Sequence, residues 1–120
     1  MTAAEPVLYG ISNCDTVRRA RRELREAGVA CRFHDFRKDG LDPDTLDRWL
    51  DAVGWEALLN RRGTTWRRLP ADTRATVDAS GARALMLAEP TLIKRPVIEH
   101  SGQVSVGWDE TTATALGARR

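Results

Sequence analysis

The chain has 120 residues, a formal charge of +2, and 42% hydrophobic and 30% charged residues. That size suits one domain burying about two-thirds of its unfolded surface, and the composition excludes a disordered or membrane-embedded chain. The longest apolar run, residues 84–88, falls far short of the about 20 residues that span a bilayer.

Residues 1–6 show neither the basic start nor the apolar stretch of a secretory leader. The near balance of charge argues against nucleic acid as a direct partner. Cys14 and Cys31 are too few for a disulfide framework, and with His34 and His100 they have no zinc-site spacing. No metal is therefore expected, and the reducing cytoplasm is the expected compartment.

Val7-Leu8-Tyr9, ending at Gly10, predicts a short buried strand. Ser12 or Asn13 is expected to cap a helix in which Val17, Ala20, Leu24 and Ala27 share a face and Gly28 ends the pattern. The other face carries Arg18, Arg19, Arg22, Glu23, Arg25 and Glu26, with Arg19/Glu23 and Arg22/Glu26 at the i,i+4 spacing. Because the glutamates interrupt the arginines, this face reads as a solvated surface. Residues 31–36 alternate and predict a second strand. Strand, helix and strand in about 30 residues imply a parallel βαβ unit with a right-handed crossover.

Asp39-Gly40 signals a turn, and Asp42-Pro43 opens a helix as N-cap and first residue. Leu46, Trp49, Leu50 and Val53 form its apolar face, and Gly54 closes it. Further helical pieces are expected at 55–60, near 66–69 and at 71–88, the last broken near Gly81 and stopped by Pro90. Val97-Ile98 and Val104-x-Val106-x-Trp108 then read as two strands joined at Ser101-Gly102 in an antiparallel hairpin. A last helix is expected at 111–118. The order is β-α-β, a helical insertion, then β-β-α, with no repeat or linker, so residues 1–120 read as a single domain.

Cys14 stands between a strand and a helix. A helix N-terminus carries about half a positive charge and unsatisfied N–H groups, which favour a thiolate, while the adjacent Asp15 opposes it. The alternative is a small buried side chain. A redox C-x-x-C motif needs a thiol at position 17, which is Val17, and a phosphatase-type loop needs an arginine at position 20, which is Ala20. Cys31, in a strand, reads as structural. In Lys94-Arg95-Pro96, the proline marks a strand start or a special turn that a cis bond would build. Arg95 either holds an oxyanion or thiolate with its planar fork or belongs to an exposed basic loop. Arg61-Arg62-Gly63-Thr64-Thr65-Trp66-Arg67-Arg68 offers an anion site or a solvated loop anchored by Trp66.

Four segments carry a resemblance: Gly10-Ile11-Ser12-Asn13-Cys14-Asp15-Thr16, Phe33-His34-Asp35-Phe36-Arg37-Lys38-Asp39-Gly40-Leu41, Trp55 through Arg67, and Leu92-Ile93-Lys94-Arg95-Pro96. Together they resemble the ArsC/Spx family, the arsenate reductase-like proteins, and most of all its YffB branch. The resemblance implies an α/β thioredoxin-like fold with a mixed four-stranded sheet and a helical insertion at about 42–90. It implies that Cys14 is the nucleophile, that glutathione resolves its adduct as co-substrate with no bound cofactor, and that glutaredoxin releases the mixed disulfide. By the same resemblance Arg95 binds the oxyanion and supports the thiolate, and Pro96 is a cis-proline facing the cysteine. Backbone N–H groups of Asn13, Asp15 and Thr16 are expected to cradle an oxyanion or a glutathione carboxylate, with Arg61, Arg62 and Lys94 as further contacts.

The sequence departs from the family's arsenate reductases at two places. Asn60 stands where they carry an arginine after Ala-Leu-Leu, and Val106-Gly107-Trp108 lacks the arginine near the end of their last strand. Both departures argue against arsenate, and the resemblance to the YffB branch implies instead a glutathione-dependent thiol reductase, expected to be monomeric and cytoplasmic. The rival reading is an Spx-like regulator that binds the C-terminal domain of the RNA polymerase α subunit. Such sensors use C-x-x-C, and Val17 removes that switch.

Overall fold

The computed structural model describes residues 5–118. The start of the chain, on which the reading of the leader rests, lies largely outside the described residues. Two compact units divide the chain: residues 1–40 with 95–120, and Leu41–Lys94.

In the first unit, strand β1 (Val7–Gly10) leads into helix α1 (Asp15–Glu26), which returns to strand β2 (Arg32–Asp35). β1 and β2 are parallel, with Leu8 opposite Phe33 and Gly10 opposite Asp35. α1 forms because Val17, Ala20 and Leu24 bury one stripe, while Arg19–Glu23 and Arg22–Glu26 pair on the solvent side as the spacing predicts. It ends in a Schellman motif: Gly28 N–H donates to Arg25 O, Val29 N–H donates to Leu24 O, and Gly28 takes φ 74°. Its start differs from expectation. Neither Ser12 nor Asn13 caps it; Cys14 is the N-cap, with extended φ/ψ and no side-chain capping bond.

The second strand is shorter than its alternation suggests. Cys31 precedes it, and Phe36 begins the short helix α2 (Phe36–Asp39), which Asp35 caps by accepting from Arg37 N–H. The Asp39-Gly40 turn signal thus marks the end of a helical turn.

The closing strands β3 (Val97–His100) and β4 (Gln103–Val106) form the predicted hairpin, turning through Ser101 and Gly102, both at positive φ. The sheet order is β2-β1-β3-β4, with β3 antiparallel to both neighbours. Leu8 and Ile98 pack with Val17, Ala20 and Leu24, with Trp108, and with Ala113 of the last helix (Glu110–Ala115) and Leu116, its C-cap. Each buried aliphatic side chain contributes about 1.5–3 kcal/mol. This mixed α/β sheet, in the predicted order β-α-β then β-β-α, is the thioredoxin-like arrangement that the resemblance implied.

The second unit is helical: α3 (Pro43–Val53), α4 (Trp55–Leu58), α5 (Thr64–Arg67), α6 (Ala71–Thr76) and α7 (Ala79–Ala88), then a 3₁₀ turn at Pro90–Leu92. The last helix, already described, is therefore α8. Asp42 caps α3 with Pro43 following, as expected. The break expected near Gly81 falls earlier, at Val77–Asp78, because Asp78 caps α7 by accepting from Gly81 N–H. Trp49, Leu46, Leu58, Met86 and Ile93 are fully buried in this unit, and Arg83 bridges to Asp47 at 2.7 Å.

Candidate functional site

One end of the sheet gathers the chemistry-bearing residues of the first unit. β1 and β2 run parallel to that end, and β3 begins there. Tyr9 lies opposite Val97, so the strand register carries Gly10 toward Pro96 just as β1 gives way to the Cys14 loop. β4 also finishes there, and Gly107 N–H donates to Pro96 O at 2.8 Å. Arg95–Pro96 is a cis peptide bond, as the resemblance implied.

Cys14 is half-buried. Its own N–H donates to Ile11 O in a turn, and its carbonyl accepts from Arg18 N–H, the first bond of α1. An N-cap side chain stands where first-turn N–H groups converge. Asp15, almost fully exposed, is held at 2.6 Å by Arg18, which offsets its charge beside the thiol. Asn13 is exposed and Thr16 half-buried, so both border the loop. Val17 is fully buried, and a Cβ at Gly10 would lie 2.6 Å from its Cγ2. Position 17 is therefore a packing contact between helix and strand. Ala20 is likewise fully buried, in keeping with the absence of a phosphatase loop.

Arg95 is half-buried, its Nε wholly so. Trp108, after β4, donates from Nε1 to Glu23 at 3.2 Å, and its carbonyl accepts from Arg19 at 3.4 Å. These bonds tie α1 to the segment that follows Gly107.

Asp35 is the residue that sequence reasoning passed over. It is 5% exposed, the one buried charged side chain among the described residues. Burial opposes its charge, but N–H groups of Arg37, Lys38 and Ser12 and the Ser12 hydroxyl outweigh burial and hold the carboxyl below its usual value. Its alternation with Phe33 in the strand pattern, which points both side chains inward, was the available signal.

Cys31 lies at the far end of the same strands. Burial pushes its thiol up, and Sγ donates to Arg32 O at 3.5 Å. It packs against the core cluster, as a structural cysteine does.

Arg61, Arg62 and Lys94 belong to the helical unit. The Arg61 guanidinium lies 5.5 Å from the Trp55 ring and 5.9 Å from that of Trp66. Arg62 is exposed, and its N–H donates to Asn60 Oδ1. Lys94, also exposed, is held through its backbone by Leu58 O, beside the Leu59–Ile93 bridge. Trp66 is buried, so the basic loop is anchored as expected. Among the described residues no cluster of three or more His, Cys, Asp or Glu could hold a metal ion. No helix among them is long and apolar enough to cross a membrane.

The fold and this sheet end define a thioredoxin-like protein with a cysteine at the start of its first helix. The chain matches the ArsC family over residues 9–116 and belongs to that family. The solved structure of the YFFB protein is 45% identical, with a TM-score of 0.88 over 93% of this chain and 98% of that one. An arsenate reductase (ArsC) related protein from Brucella melitensis is 50% identical, with a TM-score of 0.79 over 96% of each chain. The global transcriptional regulator Spx of Streptococcus pyogenes is 25% identical over 93% of this chain and 84% of its own length.

Proposed function

We propose that this ArsC-family protein is a glutathione-linked thiol oxidoreductase of the cytoplasm, active as a monomer, with Cys14 as its single nucleophile. The observation that carries this reading is the place of Cys14. It is the N-cap of a 12-residue helix, at the sheet end where Arg95–Pro96 also begins β3. A thiolate there faces the positive N–H pole of the helix, which favours its charge. Arg95 supplies the cation for an oxyanion or for the thiolate. The N–H groups of Asp15 and Thr16, in the first turn, face a bound carboxylate or oxyanion, with Asn13 at the rim.

The catalytic cycle takes two glutathione molecules. The Cys14 thiolate attacks the oxidised substrate to form a covalent adduct; the thiol of the first glutathione then attacks the Cys14 sulfur, the reduced substrate leaves with the electron pair and a proton, and Cys14 is left as a mixed disulfide with that glutathione. The thiol of the second, or glutaredoxin on its behalf, attacks that disulfide and frees Cys14, so that two electrons pass to the substrate and glutathione disulfide is formed. No second protein thiol is needed, consistent with a fully buried Val17 at position 17. Arsenate is disfavoured as the substrate. Where arginine is expected near the last strand, the chain has Gly107 and a buried Trp108 bonded to Glu23. One charge-assisted contact of the kind worth about 1.5–3 kcal/mol is therefore missing. Arg61, Arg62 and Lys94 are proposed as further substrate contacts.

The test is turnover of a small mixed disulfide, and separately of arsenate, with glutathione and glutathione reductase. Cys14→Ser is expected to abolish turnover of the disulfide, Cys31→Ser to leave it intact, and Arg95→Ala to lower it about a hundredfold. Full activity in Cys14→Ser would overturn the reading. The relationship to Spx supports one rival, a regulator of the RNA polymerase α subunit. It would be favoured by tight binding of that subunit's C-terminal domain, equal for wild type and Cys14→Ser, with no turnover by either.

A further inference from the structure

The arginines of α1 are not treated alike. Arg18 pairs with Asp15, Arg19 with Glu23 and Arg22 with Glu26. Arg21 and Arg25 form no ion pair with a carboxylate among the described residues. They stand four residues apart, so their side chains share one face a turn apart, where like charges repel. Both are exposed, and both line a cleft of about 390 Å³ that opens where α1 ends beside β2.

The rest of that cleft is largely apolar. Leu24 is buried beneath it, and Val29, Cys31 and Phe33 are half-buried, so they keep part of their apolar surface turned to the opening. Alternation along β2 sends the Arg32 side chain to the other face of the sheet, which leaves Arg21 and Arg25 as the cationic edge. Glu5 and Arg21 act on the Cys31 thiol with opposite sign, so Glu5 offsets one of the two cations and the edge stays positive. Neither arginine is consumed by the fold. The Arg21 guanidinium lies over the Phe33 ring, 4.0 Å from its centre, a contact made with its flat face, and its in-plane N–H groups remain able to fork a carboxylate. Arg25 stands at the negative pole of α1, but Leu24 O and Arg25 O already accept from Val29 N–H and Gly28 N–H.

We propose that this cleft binds a small amphipathic monocarboxylate, its hydrocarbon part on Leu24, Val29 and Phe33 and its carboxylate between Arg21 and Arg25. Apolar surface with a few convergent polar groups is the usual make-up of a small-molecule site. Size limits the hydrocarbon part. A dry cavity of about 150 Å³ takes up benzene, so about 390 Å³ accommodates two fused rings or a medium-length chain. The site lies at the far end of α1 from Cys14, and the proposal does not depend on what Cys14 does.

The test titrates the full chain, labelled with nitrogen-15, with 2-naphthoate. Saturable amide shifts are expected at Gly28 to Phe33 and in the last turn of α1, with Asn13 to Thr16 unmoved. 2-Naphthalenemethanol keeps the rings without the charge, and acetate keeps the charge without the rings; each should bind at least about tenfold more weakly. The double variant Arg21→Gln, Arg25→Gln should weaken 2-naphthoate about tenfold or more, since glutamine suits an exposed helix position and removes only the charge. Because Arg21 also touches Phe33, a second variant leaves it in place: Arg25→Glu gives Arg21 a carboxylate of its own and should weaken binding likewise. Saturating 2-naphthoate should also slow alkylation of Cys31 and leave that of Cys14 unchanged. Absence of saturable shifts at the cleft overturns the proposal, as do equal affinity for the alcohol and undiminished binding by both variants. Shifts confined to the Cys14 loop overturn it too, because they assign the acid to the other end of the helix.

Discussion

The two cysteines stand at opposite ends of one βαβ unit. Cys14 opens α1, and Cys31 follows the Schellman turn that closes it. Both are half-buried, so exposure does not distinguish them. Their surroundings do. Cys14 meets the N–H pole of a helix, an Arg18-compensated Asp15, and the strand ends that bring Arg95. Both pack against the same core cluster, but Cys31 donates to a carbonyl and has its thiol pushed up, first of all by burial. The proposed difference in reactivity therefore rests on the helix pole that each cysteine faces, since their exposure is alike.

The largest expected effect is on labelling. At neutral pH, iodoacetamide followed by peptide mass spectrometry should modify Cys14 at least about tenfold faster than Cys31. Equal rates, or Cys31 first, would break the comparison. Leu24→Ala should sharpen it. Leu24 is 1% exposed and lines the same cavity as Cys31, so its loss should cost about 2–5 kcal/mol in urea unfolding and raise the labelling of Cys31 more than that of Cys14. Gly10→Ala acts at the other end. The new methyl would press on Val17, costing about 1–3 kcal/mol and changing Cys14 labelling while Cys31 labelling stays constant.

The smallest effect is on the pH limits of stability, and the two ends should fail in opposite directions. Asp35 has its carboxyl held below the ordinary 3.8, so its contribution is complete above that value and is lost as pH falls through the lower folded value. Cys31 has its thiol raised above 9.0, so its contribution is complete below that value and is lost as pH rises through the higher folded one. Denaturant midpoints across both limits check this. Cys31→Ser should flatten the alkaline fall alone, and Asp35→Asn the acid fall alone.

Much of this was legible in the sequence. The hydrophobic spacing of Val17, Ala20 and Leu24 drew α1, Asp42-Pro43 drew the start of α3, and Ser101-Gly102 drew the hairpin, because each is decided by local stereochemistry or one buried stripe. The elements misplaced were those whose boundaries turn on which residue takes the N-cap. Ser12 is a better cap than cysteine, yet Cys14 takes the N-cap of α1. Phe36 continues a strand-like alternation, yet the capping power of Asp35 bends the chain into α2. Gly81 looks like a helix breaker, yet its N–H is what Asp78 needs to begin α7. The position of Cys14 was readable from Gly10 and the helix that follows; the burial of Asp35 was marked only by its alternation with Phe33.

The four tryptophans divide unevenly between the two units: Trp49, Trp55 and Trp66 fall within Leu41–Lys94, and Trp108 stands by itself in the sheet-bearing unit. The protein therefore carries its own spectroscopic bookmarks. Fluorotryptophan incorporated biosynthetically would give four fluorine resonances, three belonging to the helical insertion and one to the sheet. Heating such a sample would show directly whether the insertion melts with the sheet or ahead of it, with no substitution anywhere in the chain.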